Sequence, residues 1–159
     1  MACVFEKISA ISRTHCTNAG GVRSIELIEE AGISYVPRGV YGTVSQAPDL
    51  FAGYAFQAWS VDKNESLVRE TDDTDTNHGR FYTTEIVTRI SRDRAELLRE
   101  RLKLADVRLA AKVTDKNGLV KLYRNLKVNF ANNTGSSNSP NATEIRLIGQ
   151  NQRPAVILM

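Results

Sequence analysis

Residues 107–123 read VRLAAKVTDKNGLVKLY, and this stretch decides the fold class. Val107, Leu109, Ala111 and Val113 alternate with Arg108, Ala110 and Lys112, the period-two pattern of a strand with one face in a core. Asp115-Lys116-Asn117-Gly118 then makes a turn, because Asn-Gly accepts the positive φ that tight hairpins need. Leu119 to Tyr123 returns as the second strand, so the segment is predicted to be an antiparallel hairpin.

Upstream, Arg80 to Ile90 alternates as cleanly. Tyr82, Thr84, Ile86, Thr88 and Ile90 share one face; Phe81, Thr83, Glu85, Val87 and Arg89 share the other. This strand runs directly into the one helix the sequence specifies, at about 92–104. Ser91 suits its N-cap, Asp93 its first turn and Lys103 its end. Ala95, Leu98, Leu102 and Ala105 recur at spacings of three and four, widened by Leu97 and Leu104, while Arg94, Glu96, Arg99, Glu100 and Lys103 form the wet side. The stripe predicts a helix laid on a sheet with Leu98 and Leu102 inward.

Further out, Val22–Glu30 favours a strand over a short helix, and Ile33–Ser45, with Pro37 and nearby glycines, suggests an edge or a bulge. Phe51–Val61 carries Phe51, Tyr54, Phe56 and Trp59 without a charge, so a buried or interface strand is expected. Glu65–Glu70 is a possible short strand and Thr71–Gly79 an acidic polar loop. Lys127–Ala131 and Thr143–Gly149 read as strands, separated by a low-complexity, flexible loop at 132–141. Seven or eight strands joined mostly by turns, with one late helix, make the chain mostly β (α+β). Two packed antiparallel sheets, sandwich- or barrel-like, flanked by the amphipathic helix, are predicted. The 159 residues fit a single domain over 1–159, with a projecting arm within 36–61.

Several function classes fall away. A net charge of +3 is too small and too scattered for a nucleic-acid footprint. No run of about 18 apolar residues offers a membrane span, and residues 1–7 carry no signal-peptide pattern. Cys3 and Cys16 are too few for a disulfide framework; they read as free thiols or as one bridge. The glycosylation triplets at Asn64, Asn132 and Asn141 read as accidents of polar loops. A Cys16–His78 dyad has no supporting motif, and Cys3, His15, Cys16 and His78 lack paired zinc-ligand spacing. Asp73-Thr74-Asp75-Thr76-Asn77-His78-Gly79 begins like a calcium loop, but its glycine comes one position late and Thr84 stands where a closing glutamate belongs. No catalytic residue, metal site or cofactor is therefore expected.

Two features point to assembly instead. Ala155 to Met159 is uninterrupted apolar sequence, either an inter-subunit arm or a last strand of the same core. Val36 to Val61 mixes glycines, prolines and aromatics, either an ordinary hairpin or a long arm that packs on a neighbour. Together they nominate Val36, Tyr41, Phe51, Tyr54, Phe56, Trp59, Val156, Ile157, Leu158 and Met159 as inter-subunit contacts. The alternative is a monomeric or dimeric β-sandwich binding module that recognises a ligand through loops such as 71–79 and 132–141.

The order of these pieces resembles the tail tube proteins of tailed bacteriophages and the related tube subunits of contractile injection systems. The pieces are the Cys16-Thr17-Asn18-Ala19-Gly20-Gly21 turn into a strand, the aromatic middle and strand 80–90 entering helix 92–104. Strand 107–113, the Asp115–Gly118 turn and strand 143–149 complete the series. The resemblance implies a hexameric ring, possibly stacked, whose sheets join into a β-lined conduit for DNA. It also implies other virion proteins as partners, no cofactor, and a place in the virion tail after synthesis in the host cytoplasm. By position, the stacking arm falls within Val36–Val61, the channel-lining sheet draws on the Phe51–Val61 and Arg80–Ile90 strands, and Arg80, Glu85 and Arg89 face the lumen. Such channels are acidic whereas this chain is slightly basic, so a terminator or adaptor on the same fold stays open.

Overall fold

The computed structural model describes residues 21–38, 43–44, 46–91, 95–133 and 142–158. Cys3, His15, Cys16, Tyr41, Met159, the proposed helix start at 92–94 and most of the 132–141 loop lie outside those residues. The elements are β1 (Val22–Glu29), a 3-10 turn (Glu30–Gly32), β2 (Ile33–Tyr35), β3 (Thr43–Val44), β4 (Asp49–Leu50), β5 (Gln57–Trp59), β6 (Leu67–Asp75), β7 (Gly79–Ser91) and α1 (Ala95–Leu104). β8 (Leu109–Asp115), β9 (Val120–Asn133), β10 (Ala142–Asn151) and β11 (Val156–Leu158) complete them. The protein is thus mostly β with one helix: a nine-stranded sheet in the order β5-β1-β8-β9-β10-β7-β6, with β11 and β3 branching from β9, and a small β2–β4 ribbon.

Strand β9 organises the sheet. Residues 120–126 pair with β8 on one side, while 120–122 also pair with β11; residues 127–133 pair with β10. The sheet is thereby divided into two leaves that share a strand. The corner lies at Asn125, the one non-glycine residue with positive φ (57°) among those described. Asparagine tolerates this left-handed conformation because its short side chain bonds locally. Its amide donates to Glu30 Oε2 (3.1 Å) and its side chain to the Gln150 carbonyl (3.3 Å), while Asn151 Nδ2 donates to the Arg124 carbonyl (2.8 Å). Gly149 passes so close that a Cβ there would lie 2.5 Å from the Asn125 oxygen. The sequence reading placed two strands, ending at Tyr123 and starting at Lys127; one bent strand replaces them because Asn125 is a bulge rather than a break.

The main core fills the space between the leaves. Ile25, Leu27, Leu109, Ala111 and Val113 come from one leaf, and Ile86, Ile145 and Leu147 from the other. Burial at 84, 86 and 88 of β7 follows the predicted alternation. Trp59 reaches across to Phe130, with ring centroids 6.3 Å apart. A smaller cluster on the far side of the first leaf joins Ile28, Ala110, Leu122 and Val156 to Ile33 and Val36, with Leu50, Phe56 and Leu158 against it.

Two expectations fail here for physical reasons. The helix buries Leu97 and Leu104, whereas Leu98 and Leu102 are 55% and 75% exposed. Leucines stand on two stripes about 130° apart, and the short link to β8, tied by Val107 N–H to the Leu104 carbonyl (3.2 Å), sets the helix's rotation. Thr71–Gly79 is not a loop. Residues 71–75 continue β6, paired from Thr71↔Thr83 to Asp75↔Gly79. Partner pairing overrides the poor strand propensity of aspartate.

Candidate assembly surface

The leaf formed by β9 (127–133), β10, β7 and β6 has four strands, and all three of its internal pairings are antiparallel. Among the described residues no strand pairs with the outer side of β6, or with the outer side of β9 beyond Leu126. Among the described residues both lateral edges of this leaf are thus unpaired, the feature through which sheets recruit further strands. The edges are polar or charged along much of their length: Arg69, Thr71, Asp73 on one, Lys127 and Asn129 on the other.

The leaf's outward face carries balanced charge. Glu85 and Arg89 stand on it with Val87, as the alternation predicted. Arg146 reaches Glu144 (3.2 Å) and Glu85 (3.6 Å), and Arg89 bonds to Glu65 (2.7 Å). The Glu65 bond and charge raise the Arg89 pKa, so Arg89 stays charged at any ordinary pH. Arg80 does not join Glu85 and Arg89. It lies in the outer part of the β6–β7 hairpin, on the opposite alternation of β7, paired with Asp72 at 2.9 Å.

That hairpin ends in a turn whose chemistry resides in Asp75. The Asn77 amide donates to Asp75 Oδ1 and His78 Nδ1 lies 2.9 Å from Asp75 Oδ2, which together hold the Asp75 carboxyl below its ordinary pKa; Gly79 takes φ 76°. The calcium-like spacing is thus the spacing of a hairpin tip. Among the described residues no cluster of three or more acidic, histidine or cysteine groups is placed to hold a metal.

The nominated contact residues divide. Val36 (7% exposed) and Val156 (1%) are packed inside the chain's own second cluster, with Phe56 and Leu158 half-buried against it. Ile157 pairs with Lys121 in β11, so the apolar end of the chain forms a last strand of its own sheet. Trp59 is half-buried over Phe130. Of the nominated residues that are described, Phe51 (54%) and Tyr54 (40%) present large aromatic surface to solvent. Tyr54 lies over Gly32, where a Cβ would come within 2.4 Å of its ring. Sequence reasoning missed Tyr35, Leu67, Leu98 and Leu102, all exposed apolar side chains. It also missed the β6 edge. The one available signal was charge complementarity, Arg69 opposite Glu85, which is legible only once the register is known.

Comparison with protein-family models, with curated proteins and with solved structures returned no match.

Proposed function

We propose that this chain is a structural subunit that closes edge to edge into a ring, a building block of a bacteriophage tail tube or tail-associated ring. The observation that carries the reading is the four-stranded leaf with two edges unpaired among the described residues. Its strands alternate in direction, so β9 and β6 run oppositely. When copies are related by rotation about one axis, every β9 points the same way and every β6 the other. The β6 edge of one copy then meets the β9 edge of the next as an antiparallel pair, whatever the number of copies. An odd number of strands would demand parallel pairing at each junction. The contact is head-to-tail, so it closes into a ring when the rotation divides a full turn. Closure removes both exposed edges.

The outward face of the leaf then lines the channel, placing Glu85, Arg89 and Arg146 in the lumen. Arg89 and Arg146 are each held by carboxylates, so the wall offers few free cations to phosphates, and nucleic acid passes without being held. Phe51 and Tyr54 lie on the separate 33–56 segment and serve contacts between rings or with other virion proteins. The lumen carries both signs of charge, which suits a terminator or adaptor ring as well as a tube.

Negative-stain electron microscopy and sedimentation across a concentration series test this. Rings or stacked tubes with a central hole are expected as concentration rises. A particle of monomer mass that persists at the highest concentration overturns autonomous ring formation.

A further inference from the structure

Where β10 gives way to β11, residues 151–156 cross the β9 corner and leave a polar cleft of about 240 Å³. Three guanidinium groups line it: Arg38 from the segment after β2, Arg124 from the corner, and Arg153 from the crossing itself. Two carboxylates share the cleft, and both are already engaged. Glu30 pairs with Arg124 and accepts the Asn125 amide (3.1 Å); Glu70 accepts the Ala155 amide at 2.9 Å. Arg38 and Arg153 have no carboxylate partner among the described residues. Arg124 Nε is sealed from solvent with no acceptor.

We propose that this cleft binds a small oxyanion of the phosphate type between Arg38, Arg124 and Arg153. Three arguments carry the assignment. Three guanidinium groups face only two carboxylates in the cleft, so positive charge is in excess there and an anion would neutralise it. Burial depresses the Arg38 pKa, and the nearby charges of Arg153 and Arg124 add to that in the same direction. The donor chemistry matches: planar guanidinium forks bond oxyanions through two parallel N–H groups. Finally, the volume discriminates. Sites for organic ligands run from roughly 300 to 1,000 Å³ and are mostly apolar, whereas this cleft is smaller and lined by charge. It fits an ion with a few waters. The inference does not depend on ring formation.

Calorimetric titration of the full chain with inorganic phosphate, at ionic strength held constant with chloride, tests it. Saturable 1:1 binding and a rise in melting temperature beyond the chloride control are expected. Arg38→Gln and Arg153→Gln each remove one charged donor, so each should weaken phosphate binding by roughly 10- to 100-fold. Both side chains are exposed at their ends, so both variants should fold, and without phosphate they should melt no lower than the parent. Arg153→Lys keeps the charge without the fork and should fall between parent and Gln variant. Arg124→Gln is unsuitable, since it would strand Glu30. No phosphate-specific binding overturns the proposal, as does binding that Arg38→Gln and Arg153→Gln leave unchanged. A short oligothymidylate supplies the same phosphate chemistry from a polymer; binding of the oligonucleotide without inorganic phosphate binding would also refute a small-ion site.

Discussion

Replacing Gly149 by alanine tests the idea that one bent strand holds both leaves together. The added Cβ would lie 2.5 Å from the Asn125 carbonyl oxygen, 2.9 Å from Leu126 Cδ2 and 3.1 Å from the Asn125 carbonyl carbon. Ordinary carbon–oxygen contact is roughly 3.3 Å, so the corner must retreat by somewhat under 1 Å. The obstacle is backbone, not the tip of a flexible side chain. That backbone is fixed by the Asn125–Glu30, Asn125–Gln150 and Asn151–Arg124 hydrogen bonds. Overpacking of this kind costs about 1–3 kcal/mol, and losing one of the three bonds adds about 1 kcal/mol. The lower chain entropy of unfolded alanine returns about 0.4–1 kcal/mol. A net loss of about 1–3.5 kcal/mol follows, which for a domain of this size lowers Tm by roughly 2–14 °C. Trp59 is the only tryptophan, and its packing on Phe130 across the leaves makes its fluorescence a direct reporter in urea unfolding at fixed protein concentration. A Gly149→Ala variant within 0.5 kcal/mol of the parent would show that the corner yields freely, and the argument for a rigid hinge strand would fail.

Other expectations follow from the same structure. Leu104→Ala should cost about 2–4 kcal/mol through a core cavity, while Leu102→Glu should stay within about 0.5 kcal/mol; chemical denaturation of both variants checks which helix face is inward. Ser66 Oγ donates to the Asp62 carbonyl (2.6 Å) and lies 2.7 Å from Thr88 Oγ1 in a buried pair. Ser66→Ala should therefore cost about 1–3 kcal/mol by orphaning Thr88, and the Ser66→Ala/Thr88→Val double variant should cost less than the sum, as read in a double-mutant cycle. Burial, reinforced by Glu70 and Asp115, pushes the Tyr123 pKa up to about 12. The unfolded chain then loses this proton near pH 10 while the folded chain keeps it, so stability is full below about pH 10 and declines up to about pH 12. Tyr123→Phe should flatten that alkaline limb in denaturation measured against pH.

The class of fold was legible because it depends on local periodicity. Alternation at 80–90 and 107–113 and the Asp115–Gly118 turn are properties of a few neighbouring residues, and the structure keeps them. What was not legible depends on partners distant in the chain. The face of α1 that turns inward is chosen by its link to β8, since leucines on both stripes satisfied the same pattern. Thr71–Asp75 looks like loop until β7 lies beside it. Phe51–Val61 reads as a strand from its aromatics, yet only Gln57–Trp59 pairs, at the edge beside β1. The arginine cleft could not be read at all, because Arg38, Arg124 and Arg153 are brought together only by the β9 corner. The free edges of the four-stranded leaf are a property of topology, and no stretch of sequence contains them.

The topology also imposes an order on biosynthesis. β1 is among the earliest described elements to leave the ribosome, yet its long partner is β8, with Glu29 opposite Leu109 and Ile25 opposite Val113. Until then β5 offers it only three residues, Gln57–Trp59. Throughout translation of the intervening chain, Ile25, Leu27 and Ile28 have no sheet to complete, and the nascent polypeptide exposes an apolar strand to whatever is nearby. Until β8 is made, that strand is a point at which the incomplete chain is prone to aggregate, and a pause in translation before β8 would be more harmful than one after it.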